Sequence, residues 1–121
     1  MLFRSLLEAS IDGTLNRAKI EWSTDACVCV VMASRGYPGT YSKGKIVTGL
    51  AAADALPNTK VFHAGTVRTG EQILTNGGRV LGVTAWAKDI ASARQAAYTA
   101  VERIHFEGAH YRRDIAAKAL R

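Results

Sequence analysis

The apolar run Ala26–Ala33, ACVCVVMA, feeds directly into Ser34–Gly49, SRGYPGTYSKGKIVTG, and this junction decides the fold. The run reads as a strand, and its lack of alternation predicts burial on both faces, as in the centre of a sheet. Four of the next sixteen residues are glycine and one is proline, so the strand delivers a shaped loop to its end. Gly36 and Gly39 permit backbone angles or close approaches that a Cβ would forbid, while Pro38, after Tyr37, fixes one φ. Arg35, Lys43 and Lys45 bring positive charge to the loop. That suits an anion or a neighbouring domain; a connecting loop with solvated lysines is the alternative reading.

Working outward, Met1–Ile11 has apolar residues at helical spacing and Gly13 where a helix would stop, which predicts a short packing helix. Arg17–Trp22 alternates apolar and charged residues, as a half-buried strand does. Beyond the loop, Gly49–Leu56 reads as a short helix ended by Pro57–Asn58, and Lys60–Ala64 as a strand. Gln72–Thr75 and Arg79–Ala87 read as strands joined by Asn76-Gly77-Gly78, a tight-turn sequence that predicts a β-hairpin. Gly82 marks a bulge or a close approach by another backbone. Asp89 can cap a long helix to about Ile104, with Ile90, Ala93, Ala97, Val101 and Ile104 on one stripe, and Asp114–Leu120 reads as a last short helix. The order predicts an α+β fold, a mainly antiparallel sheet covered by a long helix, with Val28, Val30, Val83, Ala97 and Val101 in the core.

At 121 residues the chain has single-domain length, and 48% hydrophobic with 21% charged residues is ordinary for a globular fold. No run approaches the length of a membrane span. Cys27 and Cys29, one residue apart on a strand, have Cα atoms about 6.6–7 Å apart, at or beyond disulfide reach. Buried reduced thiols and a cytoplasmic location are therefore expected. The net charge is +6, and the last ten residues hold Arg112, Arg113, Lys118 and Arg121 against one acid, Asp114. With no basic–aromatic interleaving and no recognition-helix signature, a small phosphorylated ligand or an acidic partner domain fits this charge better than nucleic acid.

No nucleophile with its base, no paired carboxylates and no metal-ligand spacing is apparent among His63, His105, His110 and the cysteines. His63, which opens the Ala64-Gly65-Thr66 turn, reads either as a structural, hydrogen-bonded histidine or as a functional one. Asn76-Gly77-Gly78-Arg79 offers successive backbone N–H groups and a guanidinium to an anion; a plain hairpin turn with an exposed arginine is the other reading.

Four segments share an order with one family: the GYPG and Y.KG elements of the opening loop, VFHAGT at Val61–Thr66, TNGGRVLGVTA at Thr75–Ala85, and Y..V..I.FEG..YRRDI at Tyr98–Ile115 with AL at Ala119–Leu120. Together they resemble the C-terminal domain of phosphoribosylamine–glycine ligase, also called glycinamide ribonucleotide synthetase, of the ATP-grasp ligases. The chain departs from that pattern at Arg35 and Ala116, where glycine is expected, and at Trp86, where a smaller aliphatic residue is expected.

The resemblance implies a rudiment single-hybrid-like fold and a ligase that joins glycine to phosphoribosylamine with ATP hydrolysis in purine biosynthesis. The expected partners are the N-terminal and ATP-grasp domains of the same enzyme. ATP and magnesium or manganese belong to those domains, leaving no cofactor and no catalytic residue in this chain. The chain, residues 1–121, is expected to be one domain, a fragment or separately encoded part that is inactive alone. Gly36, Tyr37, Pro38, Gly39, His63, Gly65, Thr66, Gly77, Gly78 and Arg79 are the expected substrate-facing residues. A non-enzymatic module of the same fold, binding a partner or a phosphometabolite, is the alternative.

Overall fold

A computed structural model describes residues 3–120, so Met1 and Leu2 of the expected first helix and Arg121 of the basic tail lie outside the described residues. The main layer is a four-stranded antiparallel sheet in the order β3-β6-β1-β7, built from β1 (Ala26–Ser34), β3 (Thr59–His63), β6 (Arg79–Ala87) and β7 (Ala109–His110). A second sheet, also antiparallel, orders β2 (Ile46–Val47), β5 (Gln72–Thr75) and β4 (Thr66–Thr69) as β2-β5-β4. Helix α3 (Ile90–Val101) covers one face of the larger sheet, and the five-residue helix α2 (Leu50–Asp54) packs beside β3.

The stripe of α3 meets the sheet as its spacing requires. Val28, Val30, Val83, Ala97 and Val101 are all buried, together with Met32, Leu81 and Ile104. The Asp89 carboxylate accepts from the Ser92 N–H at 2.7 Å, and this bond holds its pKa below the ordinary carboxylate value. The helix is twelve residues, not the longer one expected, because its end tightens. Arg103 and Ile104 donate to carbonyls only three residues back, Ala100 and Val101.

Four other expectations fail for physical reasons. Strand β1 is covered on both faces only at its end, where Met32, Ala33 and Ser34 are buried in succession; before that Cys27, Cys29 and Val31 are exposed, so the unalternating apolar run does not mean two covered faces along its length, and the thiols are free but not buried. Residues 79–87 do not form a hairpin with Gln72–Thr75, because Asn76-Gly77-Gly78 carries the chain from one sheet to the other. The hairpin is instead β4–β5, with Gly70 at φ +60° in its turn. Arg17–Trp22 pairs with no strand among the described residues, and Leu15–Arg17 is a turn of 3₁₀ helix. The bulge of β6 falls at Val80, where the register shifts, rather than at Gly82, whose missing Cβ would sit 3.3 Å from the Cys29 Sγ.

At the C-terminal end the structure has 3₁₀ helix only over Ala117–Leu120, and Ala116 sits at φ +60°. A left-handed alanine costs about 1 kcal/mol relative to glycine. Ala116→Gly is therefore expected to raise stability by about 0.5–1 kcal/mol, read as a higher midpoint in urea; an unchanged midpoint would refute the strain.

Candidate functional site

Three loops converge at one end of the larger sheet. Leaving β1, Ser34 donates its N–H to Gly78 O at 2.7 Å and its hydroxyl to Gly77 O at 3.0 Å. Between β3 and β4, Ala64 and Gly65 both donate to Val80 O, and Gly65 O accepts from the Asn76 N–H at 2.7 Å. The Gly65 and Gly77 backbones touch: a Cβ on Gly65 would lie 2.8 Å from Gly77 Cα. Tyr37 fills the space that a side chain on Gly78 would need, so the glycines are required by packing. Gly36, at φ +95°, turns the chain back so that Gly39 donates to its carbonyl, and the Tyr37–Pro38 peptide between them is cis.

These loops border a cavity of about 480 Å³ walled by Tyr37, Gly65, Gly78 and Arg79, with Val31 and Gly82 of the sheet at its base. A second cavity of about 370 Å³ shares Val31, Tyr37 and Arg79 and adds Cys29, His110, Tyr111 and Arg112. Arg79 is exposed, and its guanidinium has no hydrogen bond or ion pair among the described residues. Nor do the Gly77 and Gly78 N–H groups meet an acceptor there. An unpaired guanidinium at the wall of both cavities is suited to a carboxylate or phosphate oxygen.

The other expected residues are placed differently. His63 Nδ1 and Thr66 Oγ1 bond each other at 2.9 Å, and neither residue lines these cavities. Arg35 and Lys45 border a third cavity on the far side of the opening loop, where Lys45 is paired with Glu107 at 2.9 Å. Among the described residues no three His, Cys, Asp or Glu side chains form a group fit to hold a metal ion.

One feature of the site was not legible in the sequence. The strap Tyr111–Ile115, which walls the second cavity, is tied down by α3. Arg94 donates to Ile115 O and to Arg113 O, each at 2.8 Å, and its guanidinium lies 5.0 Å from the Tyr98 ring centroid. The Tyr98 hydroxyl donates to Arg112 O at 2.6 Å and accepts from the Ile115 N–H at 3.2 Å. Arg112 grips Asp114 through two bonds, which hold that carboxyl below and the guanidinium above their ordinary pKa values.

With this geometry in place, the comparisons are specific. The family model described as phosphoribosylglycinamide synthetase, C domain, matches residues 27–118. A Synechocystis phosphoribosylamine–glycine ligase is 50% identical over 116 residues, 95% of this chain and 27% of that protein. The chloroplastic phosphoribosylamine–glycine ligase of Arabidopsis thaliana is 48% identical over 118 residues, 96% of this chain and 22% of that protein. The crystal structure of phosphoribosylamine–glycine ligase from Thermotoga maritima superposes with a TM-score of 0.71 at 33% identity, covering 93% of this chain and 28% of that one. The chain thus spans about a quarter of the length of the relatives it matches. It belongs to the phosphoribosylglycinamide synthetase C-domain family.

Proposed function

We propose that this chain serves as the C-terminal domain of a phosphoribosylamine–glycine ligase, closing the substrate side of an ATP-grasp core supplied by the rest of the enzyme. In this reading it is one domain with the rudiment single-hybrid-like architecture. The observation that carries it is the convergence of the Tyr37, Gly65 and Gly77-Gly78 loops around the unpaired Arg79. Arg79 and the glycine N–H groups then face a phosphate or carboxylate of phosphoribosylamine or glycine, with Gly36, Pro38 and Gly39 shaping the loop and His63 and Thr66 bracing its neighbour.

In the whole enzyme ATP transfers its γ-phosphoryl group to the glycine carboxylate, and the amine of phosphoribosylamine displaces phosphate from the acyl phosphate. The chain's described residues do not fit the metal ion of that reaction, since they hold no cluster of ligands. Nucleotide and magnesium or manganese belong to the upstream domains. No helix among the described residues is long and apolar enough to cross a membrane, which is compatible with a cytoplasmic enzyme.

The test measures ADP formation dependent on glycine and phosphoribosylamine, with this chain and the upstream domains separately and then mixed. The chain alone is expected to be silent and the mixture active. Arg79→Ala is expected to raise the KM for one substrate about 10- to 100-fold, the loss of a charge-assisted hydrogen bond. Turnover by the chain alone overturns this reading. No rescue from two folded parts would favour the non-enzymatic module.

A further inference from the structure

Downstream of helix α1 (Phe3–Ile11), strand β1 presents two thiols on its open face: Cys27 and Cys29 are both exposed and both free. One residue separates them, so their side chains leave the strand on the same side. Pairing with β6, opposite Trp86 and Thr84, holds this part of β1 extended. At about 3.3–3.4 Å per residue the two Cα atoms, and the parallel Cα–Cβ bonds with them, stand about 6.6–7 Å apart.

That spacing decides what the pair can do. A disulfide needs Cβ atoms about 3.5–4.5 Å apart, so forming one would pull β1 away from β6. A single atom held between the sulfurs asks for less: with metal–sulfur bonds of about 2.3 Å, the sulfurs stand about 4.6 Å apart. Rotation about χ1 closes that gap without moving the backbone. The Cys29 Sγ rests beside Gly82, 3.3 Å from where a Cβ would be, and no hydrogen bond holds it there. The surroundings select the ion. Structural zinc takes four ligands, and no third His, Cys, Asp or Glu joins the pair among the described residues. Thiolates favour soft cations such as copper(I), which accepts two of them in line. Arg79 and Arg112 line the cavity that Cys29 also lines, and no carboxylate does. Arg112 is engaged by Asp114, whereas the Arg79 guanidinium is unpaired, so negative charge gathered on the sulfurs meets a positive wall.

We propose that Cys27 and Cys29 form a two-coordinate site for a soft monovalent cation, with copper(I) the ion that fits its chemistry. Each thiol gives its proton to water, and the cation then bridges the two sulfurs in an adduct that carries one negative charge; no electron is transferred. The site shares a wall with the Arg79 cavity and stands independently of the ligase reading.

The experiment titrates the full chain, reduced and under argon, with copper(I) buffered by a chromophoric chelator that competes for it. One ion per chain is expected, and X-ray absorption of the complex is expected to show two sulfur neighbours with no nitrogen or oxygen at bonding distance. Cys27→Ser and Cys29→Ser are each expected to weaken binding more than about 100-fold, beyond the usual cost of losing an outer-shell partner of a metal ligand. Both thiols are exposed, so the urea midpoint of the copper-free chain is expected to stay put in either variant. Should Cys29→Ser fail to fold, Cys27→Ser carries the test alone. Undiminished affinity in a folded single variant overturns the proposal. So does one ion per two chains, which would mean that single thiols of separate copies share it, and so does a nitrogen neighbour, which would place the ion on a histidine instead.

Discussion

Replacing Gly65 by alanine is expected to destabilise the chain by about 3 kcal/mol, the upper range for overpacking a tight contact. A Cβ there would lie 2.5 Å from Arg79 O and 2.8 Å from Gly77 Cα. Both obstacles are backbone, so no flexible side-chain end can yield; the loops must part instead. Parting them breaks the bond from the Asn76 N–H to Gly65 O and withdraws Gly77-Gly78 from Ser34. The melting temperature is expected to fall by about 10 °C, and rescue of the ligase reaction to fall with it. Gly70→Ala is the control. Gly70 sits at φ +60° with nothing within 4 Å, so alanine there meets conformational strain alone, about 1 kcal/mol. If Gly65→Ala costs no more than Gly70→Ala, backbone contact does not hold the three loops together.

That contact also explains what could and could not be read from the sequence. The period of Ile90, Ala93, Ala97 and Val101 is a local property of one helix, and so is the cap at Asp89; both survive intact into the structure. The role of Asn76-Gly77-Gly78 is not local. Its composition marks a turn, but whether that turn closes a hairpin or passes between sheets depends on Ser34 and Gly65, 43 and about a dozen residues earlier. The composition of Ala26–Ala33 likewise says that the strand is apolar without saying that both faces are covered. Cys27, Cys29 and Val31 form part of an open face, whose cover no pattern within the run could reveal. The alternation of Arg17–Trp22 fails for the same reason, since a strand needs a partner.

The strap is the strongest case of a feature hidden from sequence reading, and it carries the second large effect. Arg94 lies off the apolar stripe of α3, yet it is half-buried and serves two carbonyls of the strap. Arg94→Met keeps much of the stem's packing and removes both charge-assisted bonds, with an expected loss of about 2 kcal/mol. Arg94→Lys is expected to recover less than half of it, because one ammonium cannot reproduce the planar fork that reaches Ile115 O and Arg113 O together. Tyr98→Phe removes the hydroxyl that bridges Arg112 O and the Ile115 N–H, about 1 kcal/mol. Since both side chains hold the same five residues, the double variant should fall short of the sum by at least about 0.5 kcal/mol. Urea unfolding of the single and double variants measures that coupling. Amide shifts at Tyr111 and Ile115 report whether the strap has left the cavity wall it shares with Arg79. Strict additivity with unmoved amides would mean that α3 and the strap are held independently, and that Arg94 does not shape the site.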